Sequence, residues 1–154
     1  MPRRRPGALR AERGTFAGRR APAWARELPP VDRLSPEASA DVHRVRGRGH
    51  FYPLEDLLSR YRAFLERPGG RLRLTYALCP APGCELDDLA VVRDGLAEWC
   101  ADLPPEARSA LARVLVGLDA RLRRRTLPDP EAPRTDRAGT PRPWWHRLRY
   151  EDHQ

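Results

Sequence analysis

Residues 86–125 read LDDLAVVRDGLAEWCADLPPEARSALARVLVGLDARLRRR, and this stretch decides the fold. Its apolar side chains recur every three or four residues. Leu86, Leu89, Val92, Leu96, Trp99 and Leu103 form one set; Ala107, Leu111, Val114, Leu115, Leu118 and Leu122 form the next. That spacing puts each set on one side of a helix. Pro104-Pro105 divides them, because proline breaks a helix interior yet suits the first helical position. So short a connection makes 86–103 and 105–125 an antiparallel helix pair. Asp87 and Asp88 fall in the first turn, where the helix dipole favours carboxylates.

Working outward, Leu54, Leu57, Leu58, Tyr61, Phe64 and Leu65 predict a third helix, stopped by Arg67-Pro68-Gly69-Gly70. Ser35-Pro36-Glu37 has the chemistry of a helix start: a hydroxyl that accepts from free N–H groups, then proline at the first position. A short helix to about Val45 follows from it. Residues 71–78 alternate strictly, with Leu72, Leu74, Tyr76 and Leu78 on one face, and predict a half-buried strand. A strand must pair its backbone groups. The partner is either a weak strand around 42–52 or a second copy of the chain, which would make a homodimer through 71–78. The fold class is therefore mostly α, α+β at the margin: an antiparallel helix pair packed with a third helix and one short strand or hairpin. The expected core is Leu57, Leu58, Tyr61, Phe64, Leu74, Tyr76, Leu89, Leu96, Trp99, Leu111, Leu115 and Leu118.

Three segments follow. Residues 1–30 show no hydrophobic period and read as a disordered arginine-rich arm. Residues 31–125 form a single small helical domain. Residues 126–154 are a proline-rich arm ending in Trp144-Trp145.

The net charge is +8, and all 29 basic residues counted as Lys or Arg are arginine. Lysine, isoleucine and asparagine are absent from the sequence, as a GC-rich genome would produce. Codon bias explains the choice of arginine over lysine but not the excess of base over acid. That excess is uneven. Residues 1–30 hold eight arginines against Glu12 and Glu27; residues 80–103 hold Arg93 against six acids; residues 104–125 hold six arginines against Glu106 and Asp119. A cationic arm attracts polyanions through a long-range, salt-screened field.

No run approaches the roughly 18 apolar residues of a membrane span, so no membrane partner is expected. The basic start has no apolar stretch of a signal peptide, and its prolines and lack of serine speak against a transit peptide. Three cysteines, an odd number, point to a reducing, cytoplasmic setting.

Metal chemistry has two weak candidates, Cys79 and Cys84, with Cys100 and His43 or His50 needed to complete four ligands. An unbroken helix from 86 puts Cys100 about 22 Å along the axis from Cys84, too far for one tetrahedral site. No metal and no cofactor are expected. Cys84 at a helix start with Cys79 across the turn also admits a thiol reading, opposed by the acids beside it. No catalytic motif is found, and His43, His50, His146 and His153 show no recognisable partners, so no enzyme is expected.

Two binding readings remain. The first is nucleic acid or another polyanion, engaged by Arg3, Arg4 and Arg5 of the arm, Arg44, Arg46 and Arg48 of the 44–50 loop, and Arg71 and Arg73 of the strand. Guanidinium groups hold phosphate bidentately, and His50, Phe51 and Tyr52 offer stacking faces. The second is a protein partner taken by Trp144, Trp145 and Leu148, since tryptophan dominates interface hot spots. The same residues also suit an internal latch that covers the helical core.

Overall fold

The computed structural model describes residues 30–46 and 48–151. The described residues are mostly helical. Four α-helices, α1 (Pro36–Val45), α2 (Leu54–Glu66), α3 (Leu89–Asp102) and α4 (Pro105–Arg125), are joined by irregular segments and two short 3-10 turns, Cys84–Asp87 and Trp144–Arg147. The expectations for residues 1–29, Arg3, Arg4 and Arg5 among them, lie outside the described residues.

Ser35 caps α1, its hydroxyl accepting from the Ala38 N–H at 3.2 Å, with Pro36 at the first position. This satisfies one of the donors a helix start leaves free. Helix α3 begins three residues later than the hydrophobic period implies. Gly83, at φ 89°, turns the chain into a 3-10 turn that carries Leu86 into the core. Asp88 then caps α3 proper by accepting from the Ala90 N–H at 2.9 Å. Asp88 is thus a cap and not a first-turn residue, because its side chain reaches its own helix's free donor.

Helix α3 packs on α2, and α4 packs on α1, α2 and α3. Arg93 near the start of α3 meets Asp119 near the end of α4, so the two run antiparallel. Gly95 marks a close approach of α2 and α3: a Cβ there would sit 2.9 Å from a Leu57 methyl. The core runs through the centre of these helices, with Trp99, Tyr61, Leu57, Leu96 and Leu111 among its most deeply buried members. Eleven of the twelve expected core residues are buried; Tyr76, 57% exposed, is not.

Tyr76 fails with the strand that was to bury it. Residues 71–78 form no strand. Leu72 and Leu74 are buried, but Leu78 is exposed, so the inward alternation ends after two residues. The backbone is satisfied by other means: the Leu72 N–H donates to the Arg125 carbonyl, and the Leu74 carbonyl accepts from the Glu151 N–H, each at 2.8 Å. Both partners come from this chain's own C-terminal half, and neither from 42–52.

The C-terminal segment doubles back on the helices. The Asp129 N–H donates to the Arg147 carbonyl and the Arg149 N–H to the Leu127 carbonyl, around a bridge between Pro128 and Leu148. Leu148 enters the core, and Trp144 and Tyr150 pack against it. Tyr150 stacks on Tyr76, and its hydroxyl donates to Asp88 at 2.8 Å. No described helix is long and apolar enough to cross a membrane.

Candidate functional site

The site lies where α4 ends and the C-terminal segment returns. Arg123, Arg124 and Arg125 are consecutive on a helix, so each points about 100° from the last. Arg125 points back at the end of α2, where its guanidinium donates to the carbonyls of Leu65, Arg67 and Gly69 at 2.6–2.7 Å. The Leu65 carbonyl is among those a helix end leaves without an internal donor, and Arg67 and Gly69 follow in the turn beyond it. Arg123 points the other way and lies over the Trp144 ring, 4.2 Å from its centroid. Arg124, between them, is exposed.

Two contacts seat the returning segment. Asp94 of α3 accepts from the Trp145 indole N–H at 2.8 Å, and the His146 Nε2 lies 2.8 Å from both of its oxygens. Beside it, the Arg93 guanidinium lies 4.1 Å from the Trp145 ring centroid. Arg93 is itself fixed by two 3.0 Å bonds to Asp119, which also accepts from the Tyr61 hydroxyl at 2.7 Å. Burial, then the bond to Asp119, raises the Tyr61 phenol above its usual range. One connected set of polar groups therefore runs from α2 through α4 and α3 to the tail.

Above this floor, the tail and α4 enclose an open cleft of about 460 Å³. Pro128, Pro130, Ala132 and Leu148 form its apolar wall, and Trp144 lies beside them. Arg123, Arg134 and Arg147 bring three guanidinium groups to it, and Asp129 one carboxylate. None of the three arginines has a carboxylate within ion-pair distance among the described residues, and the Arg147 Nε is shielded from solvent without a hydrogen-bond partner. A second hollow, about 420 Å³, adjoins through Thr126 and is lined by Arg71, Arg124 and Arg125 with Gly70 and Leu127.

The arginines singled out in the sequence fare differently. Arg44 is paired with Asp41 and Arg46 with Glu55, both within the helical body. Arg48 is exposed. Arg71 lines the second hollow, and Arg73 stands 3.6 Å from Glu151. The 44–50 loop and the 71–73 segment are therefore not one surface of open guanidinium groups. Of the proposed stacking faces, His50 is spent on Trp99, with ring centroids 4.0 Å apart, while Phe51 is 78% exposed. Two histidines read as solitary have acidic neighbours: His50 faces Asp102 at 2.9 Å, and His146 faces Asp94.

Trp144, Trp145 and Leu148 come together, but against this chain's own α3 and α4. Cys79 and Cys84 stand at the two ends of one turn. Cys79 is exposed, its thiol lowered by the neighbouring Cys84. Cys100 lies in the groove between α3 and α4 with Ala97, Ala112 and Val116, and burial raises its thiol. No group of three or more metal-ligating side chains occurs among the described residues.

Sequence reasoning missed Arg123, Arg134, Arg147 and Asp129 as a set. Arg134 and Arg147 are isolated in a proline-rich run, and only the reversal of the chain brings them to α4. No protein-family model matches this chain, and comparison with curated proteins and with solved structures found no match.

Proposed function

We propose that this is a non-enzymatic interaction protein that holds a polyanion, nucleic acid or a ribonucleoprotein, through arginine. One observation carries the reading. Five guanidinium groups without carboxylate partners among the described residues gather at one end of the molecule: Arg123, Arg134 and Arg147 in the cleft, Arg71 and Arg124 in the hollow beside it. Elsewhere most arginines are spent on the fold, as Arg62 is on Asp32, Arg93 on Asp119 and Arg121 on Glu66. Leaving five like charges together costs stability unless an anion neutralises them. The tail tryptophans serve in this reading as the floor on which the arginines stand. Phosphate contacts of this kind position a strand without reading its sequence.

The test is binding of the full chain to single- and double-stranded nucleic acid across a salt series. Affinity should fall linearly on logarithmic axes, by a slope of about 0.7 to 0.9 per phosphate neutralised. Arg71→Glu with Arg124→Glu should weaken binding equally across sequences and flatten that slope. Arg44→Glu with Arg46→Glu, which alters paired groups, should change it little. Binding that is insensitive to salt would retire the reading.

A further inference from the structure

The cleft has a chemistry more selective than charge alone. It is within the size range of sites that hold a small molecule, and most of its wall is apolar. Its polar groups are few and already partly used. The Thr126 hydroxyl donates to the Leu122 carbonyl at 2.8 Å, and Arg123 rests on Trp144. Arg134 and Arg147 remain, and the Arg147 Nε is a shielded donor that no protein atom satisfies. Both side chains line the cleft, so their guanidinium groups are the cationic donors it offers an anion. Asp129 accepts from the Glu131 N–H through one oxygen at 3.0 Å, which leaves its other oxygen as the one carboxylate acceptor in the cleft.

A ligand that uses all of this has three parts. It needs an anionic group for Arg134 and Arg147, a flat or apolar body for the proline wall and Trp144, and an N–H donor for Asp129. Inorganic polyphosphate and sulfated sugars lack the flat body. A peptide carboxylate lacks the second charge that two guanidinium groups favour. A nucleotide has all three, its exocyclic amine being the kind of donor that a carboxylate accepts in base recognition. Guanidinium and aromatic groups together are also the usual platform for an unstacked base.

We infer that the cleft takes up one nucleotide unit, with its phosphate on Arg134 and Arg147, its base along Pro128, Pro130 and Trp144, and its amino group toward Asp129. The inference rests on the polyanion reading and adds to it a pocket that holds a single residue of the strand. A free mononucleotide and the end of a strand present the same chemistry.

The experiment titrates the full chain with cytidine monophosphate, cytidine, inorganic phosphate, phenyl phosphate and a short single-stranded oligonucleotide with and without a terminal phosphate. Tryptophan fluorescence and calorimetry are the readouts. Cytidine monophosphate should quench tryptophan emission and bind at least about tenfold tighter than cytidine or phosphate, one bidentate contact being worth that much. Arg147→Ala should abolish most of that preference. Arg134→Ala, at an exposed position, should do so with an unchanged thermal midpoint, which separates loss of the site from loss of the fold. A preference of the oligonucleotide for its phosphorylated form places the strand end in the cleft; mononucleotide binding without that preference assigns it to the free nucleotide, and either result supports the inference. Phenyl phosphate binding as tightly as cytidine monophosphate overturns the nucleotide class. Absence of any mononucleotide binding overturns the inference, and the polyanion reading still stands if the oligonucleotide binds with a salt slope that Arg71→Glu and Arg124→Glu flatten. If no nucleic acid binds at all, both are lost together.

Discussion

The Asp94 carboxylate receives the Trp145 indole N–H at 2.8 Å and so ties the C-terminal segment to α3 at Trp145. The same carboxylate faces the His146 ring. Substituting Asp94→Ala takes away both partners and leaves a half-buried indole N–H unsatisfied, a loss of about 1–3 kcal/mol. The expected result is a thermal midpoint lowered by roughly 3–12 °C, since about 1 kcal/mol moves Tm by about 3–4 °C at this size. Tryptophan emission should shift to the red as Trp145 meets water. An unchanged spectrum would mean that Asp94 does not hold the tail.

Arg125 is a second fixed point, and it tests whether arginine matters here or merely reflects codon usage. Its guanidinium spans the carbonyls of Leu65, Arg67 and Gly69 at once. A lysine ammonium is a point charge on a flexible stem and cannot span that fork. Arg125→Lys should therefore cost about 2 kcal/mol of unfolding free energy, measured by denaturant titration, while Arg124→Lys, at an exposed position, should cost almost nothing. Equal and small effects would assign both arginines to codon bias.

Tyr61 and Tyr150 make stability depend on alkaline pH. Burial raises both phenols, helped at Tyr61 by the bond to Asp119 and at Tyr150 by the charge of Asp88. A phenol whose folded value lies above its unfolded value, about 10, keeps its proton in the fold after the unfolded chain has lost it. Its contribution is complete below that pH and declines above it. Stability should fall by about 1.4 kcal/mol per pH unit for each tyrosine above pH 10. Tyr61→Phe with Tyr150→Phe should flatten the decline measured by denaturation between pH 9 and 11. A decline of unchanged steepness would place its cause elsewhere.

Gly95 and Gly117 are both interior helical glycines, and they should respond to alanine with opposite signs. Alanine favours a helix over glycine by about 1 kcal/mol. At Gly117 nothing lies within 4 Å of the added carbon, so Gly117→Ala should stabilise by about that amount. At Gly95 the carbon would meet a Leu57 methyl at 2.9 Å, where Leu57 is itself packed in the core. Overpacking costs about 1–3 kcal/mol and outweighs the propensity. Gly95→Ala should thus destabilise, and a gain there would show that α2 yields easily.

The helices were legible because each advertises itself locally. The apolar period of 54–66 and of 105–125 is strong, and Ser35-Pro36 and Pro104-Pro105 mark boundaries to within a residue or two. The start of α3 was less legible, since Leu86 keeps the period while Gly83 and Asp88 divide the segment into a turn and a helix. The strand at 71–78 was misread for a different reason. Alternation records which residues are buried, and Leu72 and Leu74 are, but it does not record what the backbone bonds to. Here that is Arg125 and Glu151, neither of them a strand neighbour. The cleft was not legible at all. Its residues come from 123 to 148, and what joins them is a reversal held by Asp94, Trp145 and the Pro128–Leu148 bridge. Composition shows proline and arginine there and nothing of the return path.

Leu148 closes the core from a segment joined to it by the whole of residues 126–147, which contain one 3-10 turn and no α-helix. Bringing such a loop's ends together has an entropic cost that helix pairing through Pro104-Pro105 avoids. The helices should therefore assemble first and the tail dock last. In the reverse direction the tail is the unit that opens first, below the free energy of global unfolding, so its amides should exchange with solvent sooner than those of α3 or α4. Substitutions along it should act on the rate of unfolding and leave the rate of folding almost untouched.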